Sequence, residues 1–92
     1  MAHAEVATHD PARYARQLVS HLGHRIAFTT AGTVSIARFG AGTGRIEVAD
    51  GRLLLAAQAP DETSLDRVQD VLGRHLERFG QRHALTVNWV RP

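Results

Sequence analysis

The sequence predicts an α+β domain: a two-layer sandwich of order β-α-β-β-β-β-α-β, with two helices packed on one face of a mainly antiparallel sheet. Three observations carry this expectation. Residues 10–23 and 61–80 place apolar side chains at spacings of three and four, as one face of a helix requires. Between them, residues 26–57 alternate or run apolar with β-branched members, broken at "TAG", "GAGTG" and Asp50-Gly51. No repeat, low-complexity tract or linker interrupts the 92 residues, so residues 1–92 read as a single domain.

Each element has its own justification. Residues 4–8 have modest strand character. The first helix opens with Asp10 as N-cap and Pro11 at the first helical position, and Gly23 stands just past its end. Tyr14, Leu18 and Leu22 recur every four residues, with Ala15 and Val19 beside them. Four strands follow, with inward candidates Ile26, Phe28, Val34, Ile36, Ile46, Val48, Leu53 and Leu55. Asp50-Gly51 is expected to form a two-residue type I′ turn joining residues 45–49 to 52–57. The second helix has Asp61 as N-cap, Glu62 in its first turn and Gly80 at its end. Its stripe is Leu65, Val68, Leu72, Leu76 and Phe79. In "ALTVNWV", Leu85, Val87 and Trp89 alternate with Thr86 and Asn88, which predicts a closing half-buried strand. With both helices on one face, the sheet's other face is left for solvent or a partner.

Composition removes several classes of function. There is no cysteine, which excludes disulfides and thiolate chemistry. All 11 basic residues are arginine, which removes Schiff-base lysine chemistry. The longest apolar run, residues 53–57, is far short of the roughly 20 residues that span a bilayer. Residues 1–8 carry Glu5 and lack the charged-then-apolar order of a secretory signal, so a cytoplasmic location is expected. A formal charge of +2 is too small to argue for nucleic acid. Arg67, Arg74 and Arg78 on the second helix are interleaved with Asp66, Asp70 and Glu77, the pattern of a solvated face rather than a phosphate track. "FGAGTGR" is followed by a strand where a dinucleotide fingerprint needs a helix, so its glycines read as a hairpin loop. No GxSxG elbow is present.

Six histidines are many for this length. His21 lies three residues past Leu18 and seven past Tyr14, which turns it toward their inward face. His75 lies four after Val71 and seven after Val68, on the flank of the second helix's stripe, so the two rings are expected to approach one another. Gly23 separates His24 from the helix, so His21 and His24 are not a helical chelate. Read as function, His21, His24 and His75 bind a transition metal such as iron or zinc, with Tyr14, Glu77, Arg78, Glu47 or Asp10 as orienting neighbours. Read as structure, His21 caps carbonyls at its helix end and His75 hydrogen-bonds backbone. His3, His9 and His83 lie near element ends and need no functional explanation.

The runs "YARQLVSHLGHR", "FGAGTGRIEVADGRLLLAAQA" and "VLGRHLERFGQRHALTVNWVR" resemble the bacterial family called domain of unknown function 2218 over nearly the whole chain. The matching positions are Tyr14, Leu18, His21 and His24, then His75, Leu76, Glu77, Arg78, Phe79 and Trp89. The family's usual "HFGHK" stands here as "HLGHR", which keeps both imidazoles and the charge. The family has no established activity. What the resemblance implies is a setting close to siderophore handling, and through it a tie to iron.

The expected function is therefore a small non-catalytic accessory domain binding a metal or an iron-siderophore-type ligand through the histidine cluster. The alternative is a homodimeric or partner-binding module that uses the open sheet face, with structural histidines. Catalysis, with His21 or His75 as a general base, ranks behind both.

Overall fold

The computed structural model describes residues 1–92. The elements run β1 (Ala2–Ala7), α1 (Pro11–Leu22), β2 (Phe28–Ala31), β3 (Val34–Phe39), β4 (Gly42–Ala49), β5 (Arg52–Gln58) and α2 (Glu62–Phe79), with a 3-10 turn at Gln81–His83. The strands form one antiparallel sheet in the order β1-β5-β4-β3-β2. Strands β2 to β5 are a meander with two-residue turns, while β1 adds to the far side of β5. The connection through α1 therefore crosses from one sheet edge to the other. Both helices pack on the same face, as the sequence predicts. No helix is long and apolar enough to cross a membrane.

The turns are made by glycine. Gly32, Gly40 and Gly51 have φ of 60°, 60° and 69°, a region that costs an L-residue roughly 1–2 kcal/mol. Asp50-Gly51 departs from the expected type I′ geometry, because Gly51 has positive φ and Asp50 does not. The hairpin closes with one left-handed residue, which spares Asp50 the steric cost. Asp61 caps α2 through its Oδ1, which accepts from the Ser64 N–H at 2.7 Å. At α1, Asp10 holds the N-cap position without a side-chain bond to the helix, and Pro11 with its fixed φ starts the first turn.

Register explains how the layers fit. One helix-facing row across the sheet is Ala2, Ala57, Gly44, Ala37 and Phe28, nearly all small. The next is Ala4, Leu55, Ile46, Ser35 and Thr30, and the third is Val6, Leu53 and Val48. Against these, α1 buries Tyr14, Ala15, Leu18 and Leu22, and α2 buries Leu65, Val68, Leu72, Gly73 and Leu76. Ser35, the one buried polar side chain, shares a hydrogen bond with its cross-strand neighbour Thr30 at 2.8 Å.

Three expectations are corrected. In β3 the buried residues are Ser35, Ala37 and Phe39; Val34 is half-buried and Ile36 is 43% exposed on the open face. Hydrophobicity alone chose the wrong phase, because the face of β3 is set by its register with β4, where Ser35 stands beside Ile46 and Ala37 beside Gly44. Gly42 and Gly44 belong to buried β4 and not to a loop. A Cβ at Gly42 would stand 2.5 Å from Val68 Cγ2, and one at Gly44 3.1 Å from Leu72 Cδ1, so these glycines seat α2. The closing segment is not a paired strand. Leu85, Val87 and Trp89 are half-buried as the alternation predicts, but only Val90 bridges the sheet, exchanging two hydrogen bonds with His3 on β1. The segment lies instead along α2: a Cβ at Gly80 would stand 2.2 Å from Leu85 Cδ1, and one at Gly73 2.9 Å from Trp89 Nε1.

Val68 is β-branched and stiff at χ1 in a helix, so it does not turn away from an added methyl. Gly42→Ala is expected to cost about 1–3 kcal/mol by overpacking, read by urea denaturation. In Gly42→Ala/Val68→Ala the two changes partly compensate, so the double variant loses less than the sum of the singles.

Candidate functional site

The residues of interest gather where the two layers part at one end. Helix α1 stops at Leu22, and the chain winds back on its last carbonyls: Gly23 N–H donates to Val19 O at 2.8 Å, and Arg25 and Ile26 N–H donate to Leu22 O at 3.0 and 2.9 Å. This tight turn displays His24 and Arg25. Strand β2 begins only at Phe28, paired with Ala37, so Arg38 and Phe39 at the end of β3 extend beyond it. Across the gap, the α2 flank presents Arg67, Val71 and His75 at helical spacings of four. The result is an open cleft of about 730 Å³ lined by these residues together with His21, Leu22, Ile26 and Gly40.

Within it, the His21 and His75 rings lie 5.2 Å apart centroid to centroid, tilted by 44°. The His21 ring also meets Phe79 edge-on at 5.4 Å. His75 is half-buried, and its Nδ1–H donates to the Val71 carbonyl at 2.7 Å. That is the backbone bond expected of it as a structural residue. The rings are close, as the helical phases predict, but His21 is solvent-exposed at the cleft rather than interior. Position 21 falls between Leu18 and Leu22 at the edge of the buried face, toward α2, and there the helix ends. His24 lines the same cleft from the exposed turn.

The expected orienting residues lie elsewhere. Glu77 sits on the opposite flank of α2, where its Oε2 accepts from the Val87 N–H at 2.9 Å and so holds the C-terminal segment. Arg78 is exposed and does not line the cleft. Glu47 pairs with Arg45 at 3.0 Å on the open face of the sheet. Asp10 stays at the start of α1. The Tyr14 hydroxyl shares a hydrogen bond of 2.9 Å with His83 Nδ1. His83 thus has a structural partner, 69 residues away, that no local pattern announces. Sequence reasoning passed over Arg25 and Arg38 and read Arg67 only as part of a solvated helix face, whereas all three line the cleft. They come from a turn, a strand end and a helix, and only the fold brings them together.

The model of the bacterial family described as "Uncharacterized protein conserved in bacteria (DUF2218)" matches residues 3–90. The chain belongs to this family. A solved NMR structure, that of PA4090 from Pseudomonas aeruginosa, is similar to this DUF2218 chain with a TM-score of 0.81 and 27% identity, covering 97% of this chain and 93% of that one. No curated protein matches.

Two consequences of this geometry are measurable. Glu77→Ala removes the acceptor for Val87 N–H and is expected to cost about 1–2 kcal/mol. Amide exchange should quicken at Val87 and Val90 while β4 and β5 stay protected, and Glu77→Gln, which keeps an acceptor, should restore most of it. On α1, the Gln17 side-chain oxygen is buried without a donor, so Gln17→Met is expected to stabilise the fold by about 1 kcal/mol in thermal or urea melts. A destabilised variant would show that this oxygen makes a hydrogen bond in solution.

Proposed function

We propose that the protein is a non-catalytic binding domain whose His21/His75 pair takes a transition metal carried in an iron-siderophore-type chelate. The supporting observation is the pair itself, with one ring already oriented. A carbonyl only accepts, so the bond to Val71 puts the proton on His75 Nδ1 and, in the neutral ring, leaves the lone pair on Nε2. Metal-binding histidines are commonly fixed this way. Two imidazoles on one ion at about 2.0–2.1 Å have centroids about 4.5 Å apart at the right angle of an octahedral ferric centre and about 5 Å at a tetrahedral angle, so the 5.2 Å found here needs a small closing movement for iron.

Two donors do not complete a coordination sphere, and no group of three or more His, Cys, Asp or Glu is gathered that could hold an ion. The remaining donors must come from the ligand, which favours a chelate over a bare ion. The rival reading, a homodimer through the open sheet face, has Val34, Ile36, Leu54 and Ala56 in its favour. The same face carries the Arg45–Glu47 and Arg52–Glu5 ion pairs, whose desolvation opposes it.

Equilibrium dialysis with metal analysis tests the proposal, using zinc chloride and ferric citrate against wild type, His21→Ala, His75→Ala and His24→Ala. Wild type should retain the ferric chelate in preference to free zinc. The His21 and His75 variants should lose about tenfold or more in affinity, and His24→Ala less. Equal retention by all four proteins, or none by wild type, would falsify the reading.

A further inference from the structure

Charge in the cleft is one-sided. Its lining includes Arg25, Arg38 and Arg67 beside His21, His24 and His75, and no carboxylate. Elsewhere four arginines are ion-paired, Arg45 with Glu47, Arg52 with Glu5, Arg74 with Asp70 and Arg91 with Asp66, while Arg13, Arg16, Arg78 and Arg82 are not. None of the three cleft arginines has a carboxylate partner, although Asp66 and Asp70 lie one and three residues from Arg67. Those two acids are taken up by Arg91 and Arg74. The C-terminal segment and the outer face of α2 thus draw negative charge away from the cleft. Between the cationic groups the lining is apolar: Leu22, Ile26, Phe39 and Val71.

From this we infer that the cleft binds an organic polycarboxylate, with the Arg25 and Arg67 guanidiniums, joined by Arg38 at the strand end, holding its carboxylates and the apolar residues its carbon skeleton. Guanidinium stays charged throughout the working pH range and matches carboxylate oxygens in bidentate geometry. An apolar lining with a few convergent polar groups suits an organic body better than an inorganic ion. The inference deepens the reading of the cleft as a ligand site by giving the ligand's charge, and it rests on the arginines, so it stands whether or not the imidazoles coordinate a metal.

The test uses metal-free protein with chelator present and calorimetric titration with citrate, tricarballylate and pyrophosphate. Citrate or tricarballylate should bind with sub-millimolar affinity that weakens as salt rises. Arg25→Gln/Arg67→Gln should weaken it by about tenfold or more. Arg78→Gln/Arg82→Gln, which removes the same net charge from exposed positions outside the cleft, should leave it within about twofold. All four substituted arginines are exposed, and circular dichroism verifies each fold. The inference is overturned if neither polycarboxylate binds wild type, if both double variants weaken binding alike, or if pyrophosphate binds more tightly than citrate. His21→Ala/His75→Ala separates the two proposals: it should retain most of the metal-free citrate binding while losing the ferric chelate.

Discussion

The close seating of α2 on the sheet is the constraint on which the other features of the molecule depend. Gly42 and Gly44 lie under Val68 and Leu72 where any side chain would stand within about 3 Å of the helix. The row through Ala2, Ala57, Gly44 and Ala37 keeps the same level across four strands. A domain of 92 residues buries only about 60–65% of the surface its unfolded chain exposes. It gains most from apolar atoms in full contact, and Leu72, Leu76 and Val68 are all completely buried. Small residues in β4 therefore place the helix, although they contribute little burial of their own.

Once α2 is placed, its two flanks have different tasks. One receives the C-terminal segment: Gly73 and Gly80 leave room for Trp89 and Leu85, and Glu77 holds Val87. At the end of that segment, Val90 covers part of the otherwise free β1 edge. The other flank meets α1 through the His21, His75 and Phe79 rings and then opens as Arg67 and Val71 pass the end of α1. The cleft exists because α1 has 12 residues and α2 has 18. At roughly 1.5 Å per residue the longer helix has about 9 Å more length, and past the end of α1 only the 23–27 turn remains to face it.

Most of the architecture was legible in the sequence because it rests on local signals. Helical periodicity, Pro11, Asp61 and the turn glycines marked both helices and the meander. The approach of His21 to His75 was legible too, since the phase of each helix follows from its own apolar stripe. Three things were not. The face of β3 depends on its register with β2 and β4, so Ser35 and Ala37 face in while Ile36 faces out. The fate of residues 84–90 depends on Glu77 and two helix glycines, whose service to a tail nothing local announces. The company of the histidines depends on chain ends meeting in space, which is why Glu77 and Tyr14 are occupied elsewhere and three arginines line the cleft instead.

That substitution of arginine for carboxylate bears on what kind of metal chemistry the site can support. A bare dication entering the cleft meets guanidiniums with no carboxylate among them. Unit charges at about 8 Å interact by roughly 0.5 kcal/mol in water and about 2 kcal/mol at an effective dielectric of 20. Each such repulsion weighs against a bare dication, and less so as salt rises. An ion wrapped in its own carboxylates reverses the sign of each of those terms while leaving the imidazole lone pairs free to complete the coordination sphere. On the proposed reading, the histidines and the arginines serve one ligand when it brings both negative charge and most of the metal's donors, as an anionic chelate does.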